Sequence, residues 1–307
     1  MIRAIAALAV AAALAVAGCR GDGGGSERAA PDPPFEVTSR TEAFVDASRP
    51  TAAAGDRPGR PERALETVTY YPVVGGRFPL VVFAHGNTVA SPEHYRVLLR
   101  SWAAAGYVVA APIFPLSSTT LPGGAADLAN QPADVSFVIS EMLRLNHEPD
   151  GPYAGRIEPS RIAVAGHSLG AMTTLGVAFH SCCLDDRISA GIVLAGRERP
   201  FPTGRFFPGT RTPILVVHGD ADPLLPIEGA RQIFDHAAGP RILLTISGGN
   251  HDTPYAGING QAQPDTRLVI TATLDFLDRY LEDRPDGLDR LREHLDREPL
   301  ARLEMRA

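Results

Sequence analysis

The stretch Arg161-Ile-Ala-Val-Ala-Gly-His-Ser-Leu-Gly170 predicts the fold of this chain. Its apolar run, 162–165, ends in a Gly-x-Ser-x-Gly sequence, and a helical pattern over 171–179 follows. This pattern between a strand and a helix is typical of a sharp turn that holds its serine in a strained backbone conformation. The small glycines let strand and helix pass closely, so that the serine hydroxyl projects clear of the sheet. We therefore expect Ser168 to be an exposed nucleophile, with the Leu169 N–H placed to receive an oxyanion.

The rest of the chain alternates between apolar runs and helical patterns from about residue 65 onward. This alternation predicts an α/β fold with a mostly parallel central sheet of about eight strands and helices on both faces. Ligands of such sheets bind beyond the carboxyl ends of the strands. The predicted strands cover 65–71, 80–84, 107–111, 162–165, 188–195, 213–217 and 241–246, and the predicted helices cover 93–105, 133–146, 171–179, 227–236 and 268–281.

A serine hydroxyl needs a base within hydrogen-bond reach, and the base needs a carboxylate that orients it. On this kind of sheet the acid and then the histidine follow the serine along the chain. Two carboxylates, Asp220 and Asp222, follow the predicted strand 213–217, and we prefer Asp222 because its turn lets it reach the histidine loop. His251 is the candidate base, since it lies in a glycine-rich loop directly after the strand 241–246.

An oxyanion site needs two backbone N–H groups aimed at one point. Leu169 supplies one of them by the geometry of the turn. The second is expected from Asn87, in the loop that follows the strand 80–84. The neighbouring histidines, His85 and His167, are interpreted as packing or hydrogen-bonding groups rather than bases.

Four motifs together resemble those of the α/β-hydrolase superfamily: Phe83-Ala-His-Gly86, Gly166-His-Ser-Leu-Gly170, His218-Gly-Asp-Ala-Asp-Pro223 and Asn250-His251. The resemblance covers roughly residues 65–285. Within the superfamily, the chain is similar to dienelactone hydrolase-like, platelet-activating-factor acetylhydrolase-like and cutinase-like serine esterases. The resemblance implies a catalytic triad and no cofactor or metal.

On this resemblance the triad is Ser168, Asp222 and His251. Two departures bear on the subgroup. Dienelactone hydrolases use a cysteine nucleophile where this chain has serine. Cutinase-like enzymes usually carry an aromatic residue in the oxyanion loop where this chain has Asn87, which weakens the case for large polyester substrates.

The chain begins with a segment that resembles a bacterial lipoprotein signal peptide, 1–18. Arg3 provides a positive start, 4–17 is an apolar stretch too short to span a membrane comfortably, and small residues precede Cys19. Cys19 is therefore the expected lipidation site, which would anchor an exported protein to a membrane surface. The Gly- and Pro-rich segment 19–61 is predicted to be a flexible tether, although short apolar stretches at 35–37 and 43–45 could add an edge strand.

The composition and charge of the chain indicate its domain organisation and limit the other functions it can have. A hydrophobic content of 44% supports one large domain, predicted over 62–285, followed by an amphipathic helical extension over 286–307. The net charge of −6 and the scattered arginines give no sign of nucleic-acid binding. The adjacent Cys182 and Cys183 could form a disulfide or remain buried thiols, and no catalytic role is assigned to them.

The first hypothesis for function is a secreted, lipid-anchored serine hydrolase that cleaves carboxylic esters. The alternatives are a non-catalytic surface-binding lipoprotein on the same scaffold, and a peptidase or amidase that uses the same triad. The expected partner is a small-molecule or lipid ester. Long Pro/Gly-rich connections contain Phe114, Leu116, Phe201, Phe206 and Phe207. These side chains could supply an apolar pocket for short or medium acyl chains, or they could anchor the loops on the sheet.

Overall fold

The structure, a computed structural model, describes residues 34–87, 92–118 and 124–307. Within these ranges, nine strands form one sheet in the order β1-β2-β4-β3-β5-β6-β7-β8-β9. The strands are β1 Val37–Asp46, β2 Arg63–Pro72, β3 Phe78–Ala84, β4 Val108–Pro112, β5 Ile157–His167, β6 Ile188–Leu194, β7 Ile214–Gly219, β8 Arg241–Ile246 and β9 Ala301–Arg306.

Helices cover both faces of this sheet. One face carries α2, α3 and α4, and the other carries α1, α5, α6 and α7. The helices are α1 Arg96–Ala104, α2 Gln131–His147, α3 Leu169–Phe179, α4 Glu228–His236, α5 Thr253–Ala256, α6 Pro264–Leu281 and α7 Gly287–Leu295, with 3₁₀ turns at Pro92–Tyr95 and Gly124–Ala129. The expected mixed α/β architecture is confirmed.

The six central strands, β4-β3-β5-β6-β7-β8, run parallel. They are apolar on both sides because each side meets a layer of helices. In β3, for example, Leu80 and Val82 pack on the α2–α3 face, while Val81 and Phe83 pack on the other. The carboxyl ends of these strands therefore share one edge, which is where the candidate residues follow β3, β5, β7 and β8.

The two edge strands of the sheet differ in how far the sequence indicates them. Within the predicted tether, 19–61, the edge strand that 35–37 and 43–45 could add is present as β1, which pairs antiparallel with β2 and buries Phe44. The C-terminal extension contains the expected helix, α7, but it ends in β9, which pairs antiparallel with β8. Both are edge strands that remain partly exposed, so neither has the continuous apolar run of a central strand.

The N-terminal predictions fall on residues 1–33, outside the described residues. They are the signal peptide over 1–18, the lipidation site Cys19 and the first part of the tether. Within the described ranges, no helix combines the length and apolar character that a membrane span requires.

A buried ion cluster braces the part of the fold next to the elbow, which is the sharp turn between β5 and α3 that carries Ser168. The Arg63 guanidinium donates from Nε to Asp134 Oδ1 at 2.7 Å and from Nη2 to Asp127 Oδ2 at 2.9 Å, and all three side chains are buried. These bonds tie the start of β2 to the first turn of α2 and to the 3₁₀ turn Gly124–Ala129. Leu128 of that turn belongs to the same apolar cluster as Leu169, so the ion cluster positions one wall beside the elbow.

Candidate active site

Ser168 lies at the sharp junction between β5 and α3. Its φ of 56° is in the left-handed region, which costs energy for a residue with a Cβ atom. A Cβ on Gly166 would collide with the carbonyl oxygen of Gly170, and a Cβ on Gly170 would collide with that of Ala84. Strand and helix therefore approach too closely for any residue but glycine at these two positions, which is the reason for the spacing in the sequence.

The structure brings Ser168, His251 and Asp222 together. Ser168 Oγ lies 2.9 Å from His251 Nε2, and His251 Nδ1 lies 2.7 Å from Asp222 Oδ2. An ionised carboxylate can only accept, so His251 Nδ1–H donates to Asp222 and Nε2 is left to accept from the serine hydroxyl. His251 and Asp222 are each 8% exposed, whereas Ser168 is half-buried.

Asp222 is held in its charged form by several donors. Its Oδ1 accepts from the backbone N–H groups of Leu224 and Leu225 at 2.8 and 2.9 Å. Burial raises the pKa of Asp222, but the hydrogen bonds from His251 and these two N–H groups outweigh burial and bring the pKa below its usual value. A carboxylate that stays ionised can stabilise a positive charge on His251.

Asp220, the alternative acid, lies elsewhere in the same turn. Its Oδ1 accepts from Gly248 N–H at 2.7 Å and its Oδ2 lies 3.0 Å from Arg302 Nη2. These contacts join the loop after β7 to the loop after β8 and to β9. Asp220 therefore braces the loop that carries His251 and makes no hydrogen bond to the imidazole.

The loop after β3 passes directly against the serine. A Cβ on Gly86 would lie 3.4 Å from Ser168 Cβ, and Asn87 follows it, half-buried. Leu169 is the first residue of α3, so its N–H has no carbonyl partner within the helix. His85 lies below this loop, where its Nε2 accepts from Phe114 N–H at 3.0 Å and its Nδ1–H donates to the Gly86 carbonyl at 2.7 Å.

Comparison with known proteins agrees with this arrangement. Residues 51–195 match the family model described as Chlorophyllase, a family of α/β-hydrolase-like serine esterases. The chain has the α/β-hydrolase fold. The matched region contains Ser168 and Asn87 and ends before Asp222 and His251. It supports hydrolysis of an ester as the general class of reaction, and no curated protein matches the chain.

The residues expected to line the substrate pocket lie in three separate places. Phe114 has no exposed surface and packs on His85, because an aromatic side chain directly after a central strand is drawn into the core. Leu116 lines a cavity of about 470 Å³ beside the start of β2. Phe206 and Phe207 line a cavity of about 500 Å³ together with Phe201.

An apolar cluster beside Ser168 contains residues for which the sequence predicts no role in the site. Leu128 and Met172 join Leu169 and Phe201 in this cluster, and Phe206 packs against its edge. Cys183 also packs against it and forms a disulfide with Cys182. The sequence offered no signal for Leu128, because it lies in a 3₁₀ turn without a periodic pattern.

The hydrolase fold also places two buried polar side chains behind the site, Tyr95 and His167. In the sequence, Tyr95 lies within the predicted helix 93–105, and His167 is interpreted as a packing or hydrogen-bonding group. The only available signal was the location of His167 immediately before Ser168, and nothing in the sequence pointed to Tyr95.

Proposed function

We propose that this protein is a serine esterase that cleaves carboxylic esters through an acyl-enzyme. The observation that carries the proposal is the continuous hydrogen-bonded line from Ser168 Oγ through His251 to Asp222. It lies at the carboxyl edge of a parallel sheet, with the serine on an elbow, and the family match covers that elbow.

The proposed reaction has two halves. Ser168 Oγ attacks the ester carbonyl while His251 Nε2 takes the hydroxyl proton, and Asp222 stabilises the resulting imidazolium. Collapse of the tetrahedral intermediate breaks the bond to the alcohol oxygen, which receives the proton from His251. Water then gives a proton to His251 and attacks the acyl carbon, and the proton returns to Ser168 as the carboxylic acid leaves.

The oxyanion of each tetrahedral intermediate would be held by the N–H groups of Leu169 and Asn87. Two features support this assignment. The Leu169 N–H is unpaired within its helix because it lies in the first turn, and the helix dipole there favours negative charge. Gly86 packs against Ser168, which brings the following peptide of the loop to the same side of the elbow.

The proposed substrate is an ester whose acyl group is apolar and of short or medium length. The apolar cluster begins at Leu169, the residue bonded to the nucleophile, and extends through Met172 to Phe201. Apolar side chains next to the reacting serine favour an apolar acyl group over a charged one. Phe206, at the edge of this cluster, also lines the 500 Å³ cavity.

A fluorophosphonate probe tests the proposal directly. We expect the folded protein to be labelled, and short-chain p-nitrophenyl esters to protect it, because both compete for one activated serine. Cleavage after arginine releases residues 162–187, which contain both Ser168 and Ser181, so fragmentation within that peptide locates the adduct. Heat-denatured protein is the matched control and should remain unlabelled.

The alternatives predict different outcomes of the same experiment. A non-catalytic binding protein on this scaffold would not react with the probe. A peptidase or amidase would be labelled and would also turn over p-nitroanilides, which an esterase leaves essentially uncleaved. An adduct on Ser181 would contradict the assignment of Ser168.

We also propose that the protein is an exported lipoprotein anchored through Cys19. The support is the sequence alone: Arg3, the apolar stretch 4–17 and the small residues before Cys19. We expect mass spectrometry of protein made in a bacterium to find a chain that begins at lipid-modified Cys19. An unmodified Cys19 within an uncleaved chain would overturn this proposal.

A further inference from the structure

A chain of buried hydrogen bonds runs behind the candidate active site. Gly86 N–H donates to Tyr95 Oη at 3.1 Å, and Tyr95 Oη lies 2.8 Å from His167 Nδ1. His167 Nε2 lies 2.7 Å from the carbonyl oxygen of His251. The first group can only donate and the last can only accept, so one arrangement satisfies every bond: Tyr95 Oη–H donates to Nδ1, and Nε2–H donates to the carbonyl.

Burial keeps this arrangement in one protonation state. Tyr95 is 1% exposed and His167 is 2% exposed. Burial lowers the pKa of His167 to about 3, and the His251 ring, 4.9 Å away, disfavours a second positive charge. Burial also raises the pKa of Tyr95. His167 therefore remains a neutral imidazole, with one donor and one acceptor, at neutral pH.

The hydrogen-bond chain connects the three backbone segments that carry the proposed reacting groups. Gly86 immediately precedes Asn87 of the oxyanion loop, and His167 immediately precedes Ser168. The third segment is that of His251, which is held by its own carbonyl oxygen rather than by its ring. The hydrogen bonds of Tyr95 and His167 leave Ser168 Oγ and the His251 ring nitrogens untouched, so these two residues act on the reaction only through the positions of others.

We propose that Tyr95 and His167 are positioning residues that hold the oxyanion loop and His251 in register with Ser168. The proposal rests on the proposed esterase function. Its physical basis is the steep dependence of acyl transfer on geometry, since a displacement of about 1 Å can cost about 100-fold in rate. Loss of either polar side chain leaves a buried donor or acceptor unpaired, which the local backbone can relieve only by moving.

Four variants test the proposal: Tyr95→Phe, His167→Phe, the double variant and His167→Gln. Each rate is expressed per serine titrated with a fluorophosphonate. We expect kcat on a p-nitrophenyl ester to fall about 10-fold in Tyr95→Phe and about 100-fold in His167→Phe, with KM changed less than about threefold. The double variant should be no slower than His167→Phe, because both changes break one chain.

The His167→Gln variant distinguishes a positioning role of His167 from a purely structural one. The carboxamide N–H in His167→Gln can reach the His251 carbonyl in place of imidazole Nε2–H, so we expect kcat within about 10-fold of wild type. Tyr107→Phe is the matched control, because Tyr107 is also 1% exposed and donates to Asp278 at 2.8 Å. Tyr107 immediately precedes β4 and therefore lies at the amino ends of the parallel strands, away from the candidate active site at their carboxyl ends. This control should keep the wild-type kcat.

The outcomes distinguish this inference from the proposed function. If the wild-type protein neither reacts with the probe nor cleaves esters, the proposed esterase function is wrong. An active wild type whose Tyr95→Phe and His167→Phe variants stay within twofold of its kcat overturns the positioning role alone. If His167→Phe does not fold, the comparison of Tyr95→Phe with Tyr107→Phe decides, and equal kcat values for these two would reject the proposal.

Discussion

Replacing Ser168 by alanine is expected to lower kcat on a p-nitrophenyl ester by about 10⁶-fold. The hydroxyl is the only atom of the residue that hydrogen-bonds to His251, and without it no acyl-enzyme can form. Removing Oγ leaves the elbow intact, because alanine has the same Cβ as serine and bears the same cost of a φ of 56°. Steady-state kinetics with thermal unfolding of the same sample measures both effects.

An exposed serine far from the site provides the control. Ser39 lies on β1, at the edge of the sheet, and Ser39→Ala should keep full activity and full labelling by a fluorophosphonate. Ester hydrolysis by Ser168→Ala at the rate of Ser39→Ala would show that another group is the nucleophile. The assignment of the triad would then be wrong, even though the fold would stand.

The elbow was predictable because its sequence signals are local. An apolar run, two glycines and a helical pattern lie within twenty residues, and the close approach at Gly166 and Gly170 leaves room for no larger side chain. The central strands were predictable for a related reason. Burial on both faces requires continuous apolar runs, which are visible in the sequence without knowledge of their neighbours.

The edges of the sheet were not predictable in this way. β9, Ala301–Arg306, alternates apolar and charged residues over only six positions and is partly exposed, so it lacks the continuous apolar run of a central strand. β1 lies in a mostly Gly- and Pro-rich segment, where the short apolar stretches 35–37 and 43–45 are the signal for an edge strand. Each strand depends on hydrogen bonds to a partner, β8 for one and β2 for the other, rather than on its own composition.

Chain order predicted which residues of the site to look for, but not their surroundings. Ser168 and His251 are 83 residues apart, and the order of strands on this kind of sheet was enough to select them. Tyr95 and His167 are 72 residues apart and meet only because the 3₁₀ turn before α1 packs beneath the elbow. No periodic pattern in the sequence indicates such a contact, so a hydrogen-bond chain of this kind is visible only in three dimensions.

The Asp222→Asn variant is expected to lower kcat by about 10⁴-fold while the protein remains folded. A carboxylate accepts from His251 Nδ1–H and so leaves Nε2 free to take the serine proton. A carboxamide can present its N–H to Nδ1 instead, which moves the imidazole proton to Nε2, where it faces Ser168 and blocks proton transfer. Asparagine also cannot compensate the charge of an imidazolium. Initial rates on a p-nitrophenyl ester measure the loss.

Asp220→Asn is the matched control, since it makes the same chemical change two residues away. Asp220 contacts Gly248 N–H and Arg302 but not the imidazole, so its substitution should lower the unfolding temperature slightly and change kcat less than about 10-fold. The contrast is sharp because both residues lie in one turn after β7. A larger loss of kcat in Asp220→Asn than in Asp222→Asn would reverse the choice of acid, and the 2.7 Å contact between His251 and Asp222 would then have no catalytic meaning.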